Sequence, residues 1–213
     1  MKSYFVTGTG TGVGKTFVTC ALARCARGIG KRVFAFKPME TGCAQIGGRL
    51  VGADQELVCE AAGGWQTGEL RGLYQFEPAV APQVAAEQAQ VEIDLGPILH
   101  VVARGSVSAD LVLVEGAGGW RVPINTGADM AALARRLEFP VIVVGEATLG
   151  TINHSLLSVE AVERDGCTVA ALILSKRPTD DAAHVLDNAH RISARWPGRV
   201  LICSADTDLT ELV

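Results

Sequence analysis

The chain has 213 residues, 48% of them hydrophobic and 20% charged, with a formal net charge of −4. That length fits one domain with a sizeable core, and the mildly acidic balance excludes the basic stripe that a nucleic-acid surface needs. No apolar run approaches the roughly 20 residues of a membrane helix, and Met1, Lys2 and Ser3 lead into an apolar run without a leader pattern, so a cytoplasmic location is expected.

The first predicted strand is YFV from Tyr4, followed by GTGTGVGKT from Gly8 to Thr16 and by a helix over Lys15 to Arg27 with Gly28 and Gly30 as stop signals. A glycine-rich loop between a strand and a helix turns successive backbone N–H groups and the helix N-terminus toward an anion. Lys15 is placed to reach the β- and γ-phosphates and the Thr16 hydroxyl to face a magnesium ion, so a nucleoside triphosphate is the expected ligand. One detail departs from the common GxxxxGK[ST] spacing: Thr9 stands where the first glycine belongs, and the nearest glycine, Gly8, is one residue early.

VFAF from Val33 is the next strand, and Lys37 stands at its carboxyl end before Pro38. A lysine there is commonly solvated or snorkelling, but sharing a crevice with Lys15 and Glu115 favours a charge-stabilising role for Lys37. Thr41 reads from spacing as a loop hydroxyl, and Asp54 as the N-cap of a helix over Asp54 to Ala62 closed by Gly63-Gly64. Gly63 to Pro82 is irregular, the one long connection, and suits either a functional loop or a plain surface excursion.

Leu95 to Arg104 predicts a helix with Pro97 in its first turn. LVLVEGAGG, Leu111 to Gly119, then places Glu115 at the carboxyl end of a buried strand with four small residues behind it. Ligands of open α/β sheets sit at that edge, and a carboxylate there suits Mg²⁺ directly or through water. Helices over Ala128 to Leu137, Ile152 to Arg164 and Asp181 to Arg195 alternate with strands at Val141, Val169 and Val200. Near-continuous apolar strands imply coverage of both sheet faces. The expected fold class is therefore α/β, a P-loop NTPase-like doubly wound and mainly parallel sheet with helices on both faces, in one domain over residues 1–213.

The six cysteines form no CxxC pair and have no histidine at metal-ligand spacing, as expected of small buried side chains in a reducing compartment. His100, His154, His184 and His190 have no identifiable nucleophile partner, and no GxSxG elbow supports acyl transfer through serine.

In combination, YFVTGTGTGVGKT, FKPMETG, the GAD around Asp54, LVLVEGAGGWRVPI and LGTINHSLL from Leu149 resemble the dethiobiotin synthetase family, ATP-dependent carboxylases that close the ureido ring in biotin synthesis. The pieces fall in the family's order across most of the chain, and the early first glycine is itself a family feature. The resemblance implies that Thr16, Asp54 and Glu115 are Mg²⁺ ligands, that Gly12, Val13, Gly14, Lys15, Thr16 and Phe17 cradle the triphosphate, and that Asp54 and Glu115 with Gly116, Ala117 and Gly118 also line the nucleotide. Lys37 matches the active-site lysine, acting with Lys15, while Thr41 matches a hydroxyl that binds the diamine and Thr11 faces substrate. The implied reaction takes up CO₂ on 7,8-diaminononanoate as a carbamate, phosphorylates the carbamate with ATP and closes the ring with the second amine. A homodimer with the active site at its interface is implied, Gly150 and Asn153 matching the segment that receives the substrate's carboxylate end. Neither a nucleic acid nor a membrane is among the expected partners.

Four features depart from the family: Gly10 and Gly12 replace frequent acidic residues, Gln83 a frequent histidine and Ser175 a common asparagine, and the tail ICSADTDLTELV lacks the usual turn after the last strand. A serine hydroxyl does not reproduce the paired donor and acceptor of an amide, so the base preference stays open. The alternative from another class, a switch ATPase of the partition and septum-positioning type, would carry a lysine where Gly10 stands and an amphipathic or basic element absent here. Amide-forming ligases related to the corrin-diamide synthases would need a glutaminase domain for which 213 residues leave no space.

Overall fold

Six apolar runs become one sheet in the computed structural model, which describes residues 1–213. In chain order the elements are β1 (Lys2–Gly8), α1 (Lys15–Gly28), β2 (Val33–Phe36), β3 (Met39–Thr41), β4 (Ala44–Ile46), β5 (Arg49–Val51) and α2 (Ala53–Ala61). A 3-10 turn at Gly68–Leu70 precedes β6 (Tyr74–Phe76), α3 (Pro82–Ala89), α4 (Leu95–Ser106), β7 (Leu111–Gly119), β8 (Pro123–Asn125) and β9 (Ala128–Asp129). Then follow α5 (Met130–Leu137), β10 (Val141–Glu146), α6 (Thr151–Arg164), β11 (Val169–Ser175), α7 (Ala182–Ser193), β12 (Val200–Cys203) and a last 3-10 turn at Thr210–Leu212.

The sheet order is β12-β11-β10-β1-β7-β2, and every neighbouring pair runs parallel. Alternate side chains explain why these strands carry no polar face. Phe5, Val112, Val114, Val143, Leu172 and Leu174 pack under α4, α5, α6 and α7, whereas Val6, Leu111, Leu113, Ile142, Val144 and Ile173 pack under α1 and α2. Each strand is thus covered twice, as a near-continuous apolar run requires. The C-terminal segment closes the second face: Leu212 and Val213 are buried, and the Tyr4 hydroxyl donates to the Leu212 carbonyl at 2.8 Å. No helix is long and apolar enough to cross a membrane.

Three local expectations need correction. The segment from Gly63 to Pro82 is not irregular throughout: between its turns it carries the 3-10 turn and β6, which pairs in parallel with β3 outside the main sheet, and the Gln66 amide donates to the Ala35 carbonyl at 2.8 Å. α3 follows it unforeseen, starting on Pro82, an accepted residue in a first helical turn. α5 begins at Met130 and not Ala128, since Ala128–Asp129 pairs antiparallel with Pro123–Asn125 and the Asp129 carboxylate caps the helix by accepting from Ala132 N at 2.8 Å. Asp54, for its part, is not a helix cap: α2 is capped at Gly52, which has no side chain to offer.

Candidate active site

The adjacency β1-β7-β2 brings the carboxyl ends of three strands together, and each carries one part of the site. The loop after β1 needs glycine where its backbone turns left-handed: Gly12 has φ +76 and Gly14, the N-cap of α1, has φ +96. No side chain caps α1, so its first N–H groups remain available to a phosphate. Gly8 accounts for the unusual spacing. It pairs with Gly119 on β7, and a β-carbon there would lie 2.8 Å from both the Gly10 carbonyl oxygen and Val13 Cγ2.

Lys15 is buried at 6% exposure and bridges this loop, donating from Nζ to the Gly10 carbonyl at 3.0 Å. Burial pushes its ammonium down to about 8, against the opposing pull of Glu115. Glu115 is wholly buried in β7; its Oε1 accepts from the Thr16 hydroxyl at 2.8 Å and from Lys37 Nζ at 3.0 Å. The Lys37 ammonium also pairs with Asp54 Oδ2. Burial works against that charge, yet the Glu115 and Asp54 carboxylates outweigh it and hold Lys37 above its ordinary range.

The second Glu115 oxygen, Oε2, is buried with no hydrogen-bond partner. An orphaned carboxylate oxygen is costly unless something binds it. Beside it stand a second carboxylate and a hydroxyl, an all-oxygen set that suits a hard cation such as Mg²⁺, which keeps several waters and shares phosphate oxygens. The residues present therefore fit the metal.

A cavity of about 600 Å³ opens here, lined by Thr11, Lys15, Thr16, Lys37, Thr41 and Asp54 among others. Gly12, Gly14, Ala117 and Gly118 also face it. Gly12 and Gly14 are shared with a second cavity of about 490 Å³, where Val13 and Phe17 meet Ser175, Arg177 and Asp206 from the ends of β11 and β12. The two cavities flank the loop as the phosphate and base ends of a nucleotide would require. Gly116 lines neither; it is buried in β7, where a β-carbon would meet the Phe5 ring at 2.9 Å. Gly150 and Asn153 also line neither, Gly150 opening α6 with φ +94 and Asn153 lying exposed on that helix.

Sequence reasoning passed over Glu40 and Gln55, both buried beside Lys37 and Asp54. An acid inside FKPMETG, between Lys37 and Thr41, was the available signal for Glu40. Arg177 was likewise missed; it pairs with Glu146 across the ends of β10 and β11 at the second cavity.

Comparison with known proteins bears on the fold and the family. A family model described as AAA domain matches residues 2–204. The ATP-dependent dethiobiotin synthetase BioD of Marinobacter nauticus is 41% identical over 172 residues, covering 80% of this chain and 74% of that protein. Its namesake in Anaeromyxobacter dehalogenans (strain 2CP-C) is 39% identical over 193 residues, covering 91% and 85%. Among solved structures, the MinC:MinD cell division complex of Aquifex aeolicus aligns over 100% of this chain and 84% of its own with a TM-score of 0.59 at 14% identity. The signal recognition particle receptor FtsY of Elizabethkingia anophelis aligns over 98% and 60% with a TM-score of 0.55 at 15% identity. At those identities the two structures speak for a shared P-loop α/β fold alone. The sequence relatives carry more, and on their identity and span the chain belongs to the ATP-dependent dethiobiotin synthetase family.

Proposed function

We propose that this chain carboxylates 7,8-diaminononanoate and closes the ureido ring of dethiobiotin, the ATP-driven, C–N bond-forming step of biotin synthesis that the name of its family denotes. The observation that carries the reading is the convergence of Lys15, Lys37, Asp54 and Glu115 beside one phosphate-binding loop. One amine of the diamine adds to CO₂ and sheds a proton, giving a carbamate. A carbamate oxygen then attacks the γ-phosphorus, the bond to the β-phosphate oxygen breaks and ADP leaves. The second amine attacks the activated carbon, loses its proton and expels phosphate as the ring closes.

Phosphoryl transfer asks for positioning and charge neutralisation more than covalent help. Lys15 and the N–H groups opening α1 would hold the β- and γ-phosphates, and Lys37 would steady the carbamate and the transferring group. Thr16, Asp54 and Glu115 would hold Mg²⁺, which when bound neutralises phosphate charge. Thr11 and Thr41, on the cavity wall, would orient the diamine. In a homodimer, Gly150 and Asn153 would serve the neighbour's cavity. Two observations support that arrangement: neither residue lines either of the two cavities that flank the phosphate loop, and Asn153 and Leu157 are exposed four residues apart on one side of α6, with exposed Leu149 just ahead of that helix.

The test is phosphate release and product formation with bicarbonate, Mg²⁺ and ATP, with and without the diamine. Release that depends on the diamine, with ring product formed and both lost in a chelator, is the expected result. Release indifferent to the diamine, with no ring product, would overturn the reading. Running the same assay on ATP, CTP, GTP and UTP reads the base preference at Ser175.

A further inference from the structure

Glu40 is 7% exposed and lines the same cavity as Lys15, Lys37 and Asp54, yet its carboxylate spends both oxygens on backbone N–H groups. Its Oε1 accepts from Asp54 N at 2.9 Å and its Oε2 from Gln55 N at 2.8 Å. These are the second and third N–H groups of α2, the donors that a helix's own cap residue normally satisfies. Here the cap comes from β3, a different element. Gly52, at the cap position, accommodates it, since a β-carbon there would overlap Glu40 Oε2.

The arrangement ties together the two ends of the Lys37–Asp54 ion pair. Glu40 lies three residues beyond Lys37 on the β2–β3 segment, and it grips the first turn of α2 at Asp54 itself. A second tie runs the other way, from Gln55 Nε2 to the Lys37 carbonyl at 3.1 Å, and Gln75 Nε2 anchors Gln55 at 2.6 Å. The Asp54 side chain is 38% exposed and its carboxylate is hydrogen-bonded to Lys37 alone, so the backbone of α2's first turn, together with Lys37, sets where that carboxylate points.

We propose that Glu40 is a positioning residue of this reaction: by capping α2 from β3 it fixes where Asp54 presents its carboxylate, and so sets the affinity of the site for its divalent cation. The inference rests on the reading of Asp54 as a metal ligand. A carboxylate is required because two N–H donors need two acceptors, whereas glutamine has one and turns an NH₂ against the other donor. Aspartate keeps the charge but is one methylene short of α2.

The experiment measures Mn²⁺ binding by calorimetry to the full chain loaded with a non-hydrolysable ATP analogue. Glu40→Gln and Glu40→Asp are each expected to weaken Mn²⁺ by on the order of tenfold, the lower end of what outer-shell partners contribute. Binding of the analogue in a chelator should stay within about twofold of wild type, because the Glu40 carboxylate, though on the cavity wall, bonds to α2 and not to the phosphate loop. Wild-type affinity in both variants would overturn the proposal, and so would wild-type affinity in Glu40→Asp alone, which would make Glu40 a mere charge. Amide hydrogen exchange on the wild-type protein gives a measurement free of variant folding: Asp54 and Gln55 amides should be protected, and fast exchange there would also overturn it. Asp54→Asn separates the two levels. If it leaves Mn²⁺ affinity unchanged, the reading of Asp54 as a ligand fails, and the role of Glu40 falls with it.

Discussion

At the residue scale the site is a set of charges balanced without its ligands. Lys37 stands between two carboxylates, and Lys15 is bent back onto its own loop. Lys37→Ala is expected to lower turnover by on the order of 10²-fold or more, read as dethiobiotin formed per enzyme; full turnover would remove Lys37 from the mechanism. Lys15 gives a pH signature. In the metal-free protein its ammonium titrates near 8 because it is buried, and a bound polyphosphate would restore the proton. Below pH 8 the lysine is charged in both states and ADP affinity should be flat. Above pH 8 binding must draw in a proton, so affinity should weaken by up to about tenfold per pH unit, measured by titrating ADP in a chelator. Flat affinity up to pH 9.5 would mean that Lys15 does not contact the phosphates. Lys15, Thr16 and Glu115 were legible as residues because a loop motif and a strand end are local patterns. Glu40 was not, since its partners stand 14 and 15 positions away on another element.

At the scale of elements, close packing decides outcomes that propensity would misjudge. Alanine normally improves on glycine inside a helix by about 1 kcal/mol. In α4, however, a β-carbon at Gly105 would overlap the fully buried Phe34 ring on β2. Gly105→Ala should therefore destabilise by about 1–3 kcal/mol, as overpacking does, and a thermal midpoint equal to or above wild type would contradict this. Asp165, just past α6, ties that helix to the turn after β7 and to α5: it accepts from Trp120 Nε1 at 2.7 Å and Arg121 Nη2 at 2.9 Å, with Arg135 nearby at 3.6 Å. Burial raises its carboxyl, but the Arg121 and Trp120 hydrogen bonds outweigh burial and hold it below the usual range. A depressed carboxyl stabilises the fold above its unfolded value, about 3.9, and that stability goes as pH falls through the lower folded value. Asp165→Asn should accordingly lose less thermal stability than wild type between pH 5 and pH 3. The helices and main strands were legible from period and stop signals. β3, β6 and α3 were not, because strands of three residues and a helix of eight with few apolar positions lack a readable period.

At the scale of the whole molecule, the strand order is what makes an active site of scattered motifs. Residues 15, 37 and 115 converge because β7 inserts between β1 and β2, with Glu115 buried beneath the cavity that Lys15 and Lys37 line. The proposed homodimer belongs to this scale. Sedimentation equilibrium should give twice the chain mass, and Leu149→Glu with Leu157→Glu should give monomers with weakened use of the diamine; a wild-type monomer at full activity would contradict a shared site. By itself the sequence determined the fold class, the phosphate loop and the identity of most charged site residues, since each follows from local spacing and from apolar runs that must be covered on both faces. Only the tertiary structure decided that Gly8 pairs with Gly119 on β7, that Gly116 is packed against Phe5, that Gly150 and Asn153 lie outside the two cavities flanking the phosphate loop, and that Glu40 caps α2. These depend on contacts between residues far apart in sequence, and such contacts exist only once the sheet has set the elements side by side.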